Sequence, residues 1–111
     1  MQQNQRPTCK TDAYGDKRWY VDGVCHREDG PAVEWANGAR YWCIRGNLHR
    51  EDGPAVTYVD GKSSWYFNGG YYVDVENWAT AILKYRNKPC DPDAVQAFLL
   101  PILQKHTRNI I

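Results

Sequence analysis

The sequence has no apolar run of about 18 residues and no basic leader followed by an apolar stretch. No membrane span and no secretory signal are therefore expected, and a cytoplasmic location follows by default. Net charge is also scarce, at +1 over 111 residues. The segment from Lys17 to Val73 contains seven basic and seven acidic residues. Without a large electropositive field to gather phosphates, binding of duplex nucleic acid is disfavoured. The four cysteines, Cys9, Cys25, Cys43 and Cys90, lie 16, 18 and 47 residues apart. Those spacings match no zinc or redox pair, so neither a metal nor another cofactor is expected. Phenylalanine is rare, with two residues against five tryptophans and eight tyrosines. Wide amphipathic rings suit pleated strands and contact surfaces.

What the chain does have is a repeat. His-Arg-Glu-Asp-Gly-Pro-Ala occupies positions 26–32 and again 49–55, a step of 23 residues. Trp19, Trp42 and Trp65 keep that step, as do Gly15, Gly38 and Gly61, and Gly23, Gly46 and Gly69. Aligning 19–41 with 42–64 leaves 11 identities in 23 positions, six of them Gly, Pro, Ala or Trp, which serve backbone shape and packing. A period of this size marks an array whose units bury their apolar faces on one another.

The glycine ladder at 15, 23, 38, 46, 61 and 69 places a turn at every rung, and four of the six turn dipeptides are Asn-Gly or Asp-Gly. These pairs tolerate positive φ, so two-residue hairpin turns are expected throughout. Short strands over 16–21, 39–44 and 62–67 should each carry one of the three tryptophans. Asp-Gly-Pro then breaks the chain before a strand resumes at 32–35 or 55–58, which makes the repeated string a corner. Its glycines, Gly30 and Gly53, are expected to supply permissive dihedrals. Cys25 aligns with Leu48, and Cys43 with Tyr20 and Tyr66, so both cysteines read as small apolar fillers; a disulfide is allowed, but nothing in the sequence requires one.

A third unit begins at Trp65 but loses the string, with Tyr72 in the place of the histidines. From Asp74, a plausible N-cap, Val75, Trp78, Ile82 and Tyr85 fall on one helical face. Asp91 and Pro92 open a second helix, with apolar Val95, Phe98, Leu99, Ile102 and Leu103, and with Pro101 expected to kink or shorten it. The fold class read here is α+β: an elongated antiparallel β-hairpin repeat array capped by two C-terminal helices. Its parts are a flexible N-terminus over 1–7, the array over 8–73 and the helical cap over 74–111.

The rhythm of Trp/Tyr, turn glycine, strand and turn glycine over about residues 8–73 resembles the MORN repeat class, whose hairpins stack into a single-layer twisted antiparallel sheet. Trp19-Tyr20-Val21-Asp22-Gly23 followed by the His26–Ala32 string resembles a divergent MORN-like repeat of bacteriophage and bacterial proteins. The resemblance implies a binding module rather than an enzyme. In concrete form it implies a phage-encoded protein, active in the host cytoplasm, that occupies a host factor such as a defence nuclease or a CRISPR effector.

Two candidate sites follow. The tryptophans share one strand parity, while Tyr20 and Tyr66 take the other. One sheet face can then be core, and the other a protein-binding strip formed by Tyr20, Tyr66, Tyr71 and Tyr72 with Arg40, Arg45 and Lys62 at its rim. The alternative is a small-ligand or nucleotide site of the sponge type, in which His26, Arg27, His49 and Arg50 hold phosphate oxygens. The repeated string contains enough acid and base groups for catalysis, but its duplication fits scaffold better than one asymmetric active site. An open sheet with Trp-rich faces is also a candidate for a two-fold homodimer.

Overall fold

The computed structural model describes residues 6–107, so the expected flexible residues 1–5 and the last four residues of the expected cap lie outside the described residues. Ten strands run in chain order: β1 (Thr8–Thr11), β2 (Lys17–Val21), β3 (Val24–Cys25), β4 (Val33–Glu34), β5 (Arg40–Tyr41), β6 (Cys43–Ile44), β7 (Asn47–Leu48), β8 (Val56–Thr57), β9 (Ser63–Phe67) and β10 (Gly70–Tyr72). Two helices follow, α1 (Val75–Tyr85) and α2 (Pro92–Thr107). The fold is α+β. The main sheet is ordered β1-β2-β4-β5-β8-β9-β10, with β3 also on β2, and β6 and β7 form a separate hairpin. Every pairing is antiparallel.

Two kinds of turn alternate along this array. At Asp22-Gly23, Arg45-Gly46 and Asn68-Gly69 both residues have positive φ, the two-residue turn that matches strand twist. At the other three rungs only the glycine has positive φ. There Gly38 N–H donates to the Trp35 carbonyl and Trp35 N–H to the Ala39 carbonyl, and the same pair of bonds recurs at Tyr58, Gly61 and Lys62. These are three-residue loops closed by a glycine bulge, not the two-residue turns expected from the ladder. The expected strand over 39–44 is also divided at Trp42, whose N–H leaves its hairpin to donate to the Ala55 carbonyl at 2.7 Å.

The molecule is a slab of 46 × 43 × 19 Å, which corrects the expected elongated shape. Seven strands side by side span only about 30 Å at roughly 4.8 Å each, so the stack is no longer than its hairpins are wide. The helices fold back on the last hairpin. Phe67 of β9 is buried with Trp78, Ala79, Ile82 and Leu83 of α1 and with Val95 and Leu99 of α2, and Phe98, Ile102 and Leu103 pack at the margin. Within the array the buried side chains are small: Ala32, Val33, Ala39, Cys43, Ala55 and Val56.

Asp74 occupies the N-cap of α1 in extended conformation, but its side chain makes no capping bond. Its carbonyl instead accepts from the N–H groups of Asn77 and Trp78. Tyr85, expected on the buried stripe, is 69% exposed and meets Phe67 edge-on at 5.4 Å. Pro101 does not shorten α2, which runs on to Thr107. Ala97 and Pro101 both lie on the exposed side, where water can satisfy the Ala97 carbonyl that the proline leaves without a donor.

Candidate functional site

Each residue of the repeated string has a structural task, performed twice. Arg27 lies over the Trp19 ring at 3.9 Å, and Arg50 over Trp42 at 3.8 Å. Arg27 Nε donates to Asp29 at 3.1 Å and its Nη1 to the Pro31 carbonyl at 3.1 Å. Arg50 does the same with Asp52 at 2.8 Å and the Pro54 carbonyl at 3.1 Å. The alanine that ends each string is buried, and its carbonyl accepts the tryptophan N–H: Trp19 to Ala32 at 2.9 Å, Trp42 to Ala55 at 2.7 Å.

The histidines act across repeats. His26 Nδ1 accepts the Arg45 N–H and His49 Nδ1 accepts the Asn68 N–H, each at 2.9 Å. Because the partner is an amide donor, Nδ1 must offer its lone pair and the ring proton sits on Nε2. Nε2 faces Glu28 at 3.4 Å in the first copy and Glu51 at 2.9 Å in the second. Each imidazole thus fastens the first residue of the next tight turn. That residue has a φ of 51° in both copies, a strained value for Arg45.

The glycines of the string are not needed for their dihedrals, since neither Gly30 nor Gly53 has positive φ. A Cβ on Gly30 would stand 2.8 Å from Arg27 Cζ, and one on Gly53 would stand 2.9 Å from Arg50 Cζ and 2.5 Å from His106 Nε2. The guanidinium lies between the tryptophan ring and a residue that must lack a side chain. His106 Nε2 also meets the Asp52 carbonyl at 3.0 Å, and Arg86 binds Glu51 at 2.6 Å, so both helices hold the second copy of the string. Burial alone raises the Glu51 carboxyl, but bonds from Arg86 and His49 outweigh it and hold it below its ordinary value. Asp52 is likewise held low by Arg50 against the effect of burial.

A groove of about 460 Å³ runs over the two strings, walled by Arg27, Arg50 and Arg86 and by Glu28, Glu51 and Asp52. Three guanidinium groups face three carboxylates, which leaves no excess positive charge. The four residues of the alternative phosphate site line up along one side of the array, each engaged with the protein's own acceptors and donors. Among the described residues no group of three or more His, Cys, Asp or Glu is arranged to hold a metal ion.

The opposite face is aromatic. Cross-strand register runs Lys10, Arg18, Val33, Tyr41, Val56, Ser64, and the neighbouring rung pairs Tyr66 with Tyr71. Side chains alternate along strands, so Trp35, Tyr41, Tyr58, Tyr66 and Tyr71 share this face while Trp19, Trp42 and Trp65 share the other. Tyr66 and Tyr71 are 5.4 Å apart, and Trp35 meets Tyr41 edge-on at 5.6 Å. Arg18 lies over Trp35 at 4.9 Å and Lys10 over Tyr20 at 5.6 Å. Burial first, then the neighbouring Tyr58, Tyr71 and Tyr41 phenols, push the Tyr66 hydroxyl above its ordinary value. Trp35, Tyr41 and Tyr58 wall a groove of about 540 Å³ between two hairpin loops.

Of the expected strip, Tyr20, Tyr66 and Tyr71 are on this face. Tyr72 is not: it pairs with Trp65 and packs against the helical core. Arg40 is in register with Glu34 and Thr57, on the tryptophan side, and donates to the carbonyls of Trp35 and Ala39. Arg45 sits in a turn, exposed, with its N–H bound to His26. Trp35, Tyr41 and Tyr58 were absent from the expected strip. The same alternation that separates Trp42 from Tyr41 would have found them. Compared with family models, curated proteins and solved structures, the chain finds no match.

Proposed function

We propose that this protein is a non-enzymatic protein-binding module, a MORN-like array whose tyrosine face occupies a partner. The observation that carries this reading is the division of labour between the faces. The tryptophan face spends its aromatics on arginine stacks and on the helical cap. On the other face Trp35, Tyr41 and Tyr58 wall an open groove and Tyr66 pairs with Tyr71 across β9 and β10, with Tyr58 44% and Tyr71 57% exposed. Tyr and Trp in such clusters are the side chains that most often anchor interfaces, because they bury large rigid area and keep a polar tip. Trp35 Nε1 is buried without a hydrogen-bond partner, a donor that an acceptor from the partner can satisfy after a small shift. A host bacterial factor, such as a defence nuclease or CRISPR effector, is the partner to test first.

Capture from bacterial lysate tests the reading when two variants are compared. Stoichiometric capture should be lost in Tyr58→Ala/Tyr66→Ala/Tyr71→Ala and kept in Glu28→Gln, which alters only the opposite face. Capture that survives the tyrosine changes in a folded variant refutes the assignment of the face.

A further inference from the structure

The two cysteines that interrupt the repeat face each other across one junction. By the 23-residue step Cys25 stands where Leu48 stands, and Cys43 where Tyr66 stands. Arg27 N–H donates to the Cys43 carbonyl at 3.0 Å and Gly46 N–H to the Cys25 carbonyl at 2.8 Å. The next junction repeats these bonds as Arg50 to Tyr66 at 3.3 Å and Gly69 to Leu48 at 2.8 Å. Where the second junction brings together leucine and tyrosine, the first brings together two thiols. Cys25 is in register with Tyr20 and Cys43 with Leu48, so both project to the tyrosine side. Cys25 Sγ donates to the Ala32 carbonyl at 3.8 Å, beside this junction. Both are free, Cys43 buried and Cys25 partly exposed.

We propose that Cys25 and Cys43 form an oxidative modification site, at which a small-molecule disulfide converts the thiol pair into a covalent link between the first and second repeats. Cys25, the more accessible, loses its proton to solvent and attacks one sulfur of the reagent, expelling the other as a thiolate that takes up a proton. Cys43 then loses its proton, attacks the Cys25 sulfur and displaces the second reagent thiolate. Two protein thiols and one disulfide give one protein disulfide and two small thiols, with two electrons passing to the reagent. Burial pushes the Cys43 thiol up to about 12 and raises Cys25 as well, so little thiolate exists at neutral pH and the exchange accelerates as pH rises.

The test uses the full chain carrying Cys9→Ser and Cys90→Ala, incubated folded with oxidised glutathione at alkaline pH and digested with trypsin without reductant. The expected product joins the peptide 19–27 to the peptide 41–45, two hydrogens lighter than their sum. The thermal midpoint should rise by roughly 10 °C, since the link closes a loop across the junction. A glutathione adduct that persists on Cys25, or linkage that forms only when the chain is first unfolded in urea, overturns the proposal. If the double variant does not fold, the same map of the unaltered chain decides: linkage between Cys25 and Cys43 must exceed any that involves Cys9 or Cys90.

Discussion

Gly30→Ala is the substitution that most directly tests how the repeated string works. Gly30 has no positive φ, so a general argument from chain entropy makes alanine there stabilising by about 0.4–1 kcal/mol. The structure demands the opposite sign. The new Cβ would stand 2.8 Å from Arg27 Cζ and 3.1 Å from its Nε and Nη2. Arg27 cannot give way cheaply, because Trp19 lies at 3.9 Å behind it and Asp29, Pro31 and Glu34 hold its nitrogens. Expelling the guanidinium forfeits a half-buried cation–π contact of about 1–2 kcal/mol and hydrogen bonds of about 1 kcal/mol net each. Set against the entropy gain, complete expulsion costs about 3–5 kcal/mol net, seen in urea unfolding as a lower midpoint at unchanged slope.

The double variant Gly30→Ala/Arg27→Ala isolates the cause. With the guanidinium gone, the alanine should cost nothing further and can recover its entropic gain, giving a coupling of about 4–5 kcal/mol between two residues in contact. Equal stability of Gly30→Ala and the wild type, or equal alanine effects with and without Arg27, would show that the glycine is not there to make room for the arginine.

Three further outcomes follow from the geometry. His49→Ala should destabilise by about 1–3 kcal/mol, because it leaves the Asn68 N–H without its acceptor, and the effect should appear as faster amide exchange at Asn68 by NMR; unchanged exchange would contradict the cross-repeat role. Trp78→Ala should cost about 3–5 kcal/mol, measured by thermal unfolding, since it empties a fully buried site and removes the donor to the Arg50 and Tyr66 carbonyls. Glu51 and Asp52 are held below their ordinary values of 4.5 and 3.8, so the folded chain binds fewer protons than the unfolded one in that range. Their stabilisation is present above those values and is lost as pH falls through the lower folded ones. A urea midpoint that drops as pH falls below about 4.5 is expected, with a smaller drop over that range in Glu51→Gln.

Much of this architecture was legible because it depends on quantities that local sequence encodes. The 23-residue period, the glycine ladder and the change to helical spacing after Asp74 are statements about turns and periodicity. The two turn types were not separated, since Asn37-Gly38 and Asn68-Gly69 look alike in isolation. Only the pairing of Trp35 with Ala39 shows that the first has a third loop residue. The reason for Gly30 was hidden for a different cause: it depends on where the end of a long arginine side chain comes to rest, four bonds beyond anything that backbone propensity constrains. The faces taken by Arg40 and Tyr72 do have a signal in the sequence. Arg40 has the parity of Trp42, and a two-residue turn at 68–69 puts Tyr72 opposite Trp65.

The end of the array also explains why the tyrosine face is the one left open. In the first two units an arginine of the string covers the tryptophan, but the third unit has Val73 at that position, 83% exposed. Trp65 is covered instead by Trp78 of α1, edge-on at 4.6 Å. The indole Nε1 of Trp78 reaches the carbonyls of Arg50 and Tyr66, at 3.2 and 3.1 Å. One helical side chain thus takes over the stacking role of the missing arginine and binds two carbonyls at the end of the stack, so the helices are joined to the tryptophan side by the same device that joins the repeats to each other. A cap built this way grips one face only. The rings of Tyr41, Tyr58, Tyr66 and Tyr71, on the other side of the same strands, lie outside its reach, so a partner bound there, as proposed, would leave the stacking of the repeats undisturbed.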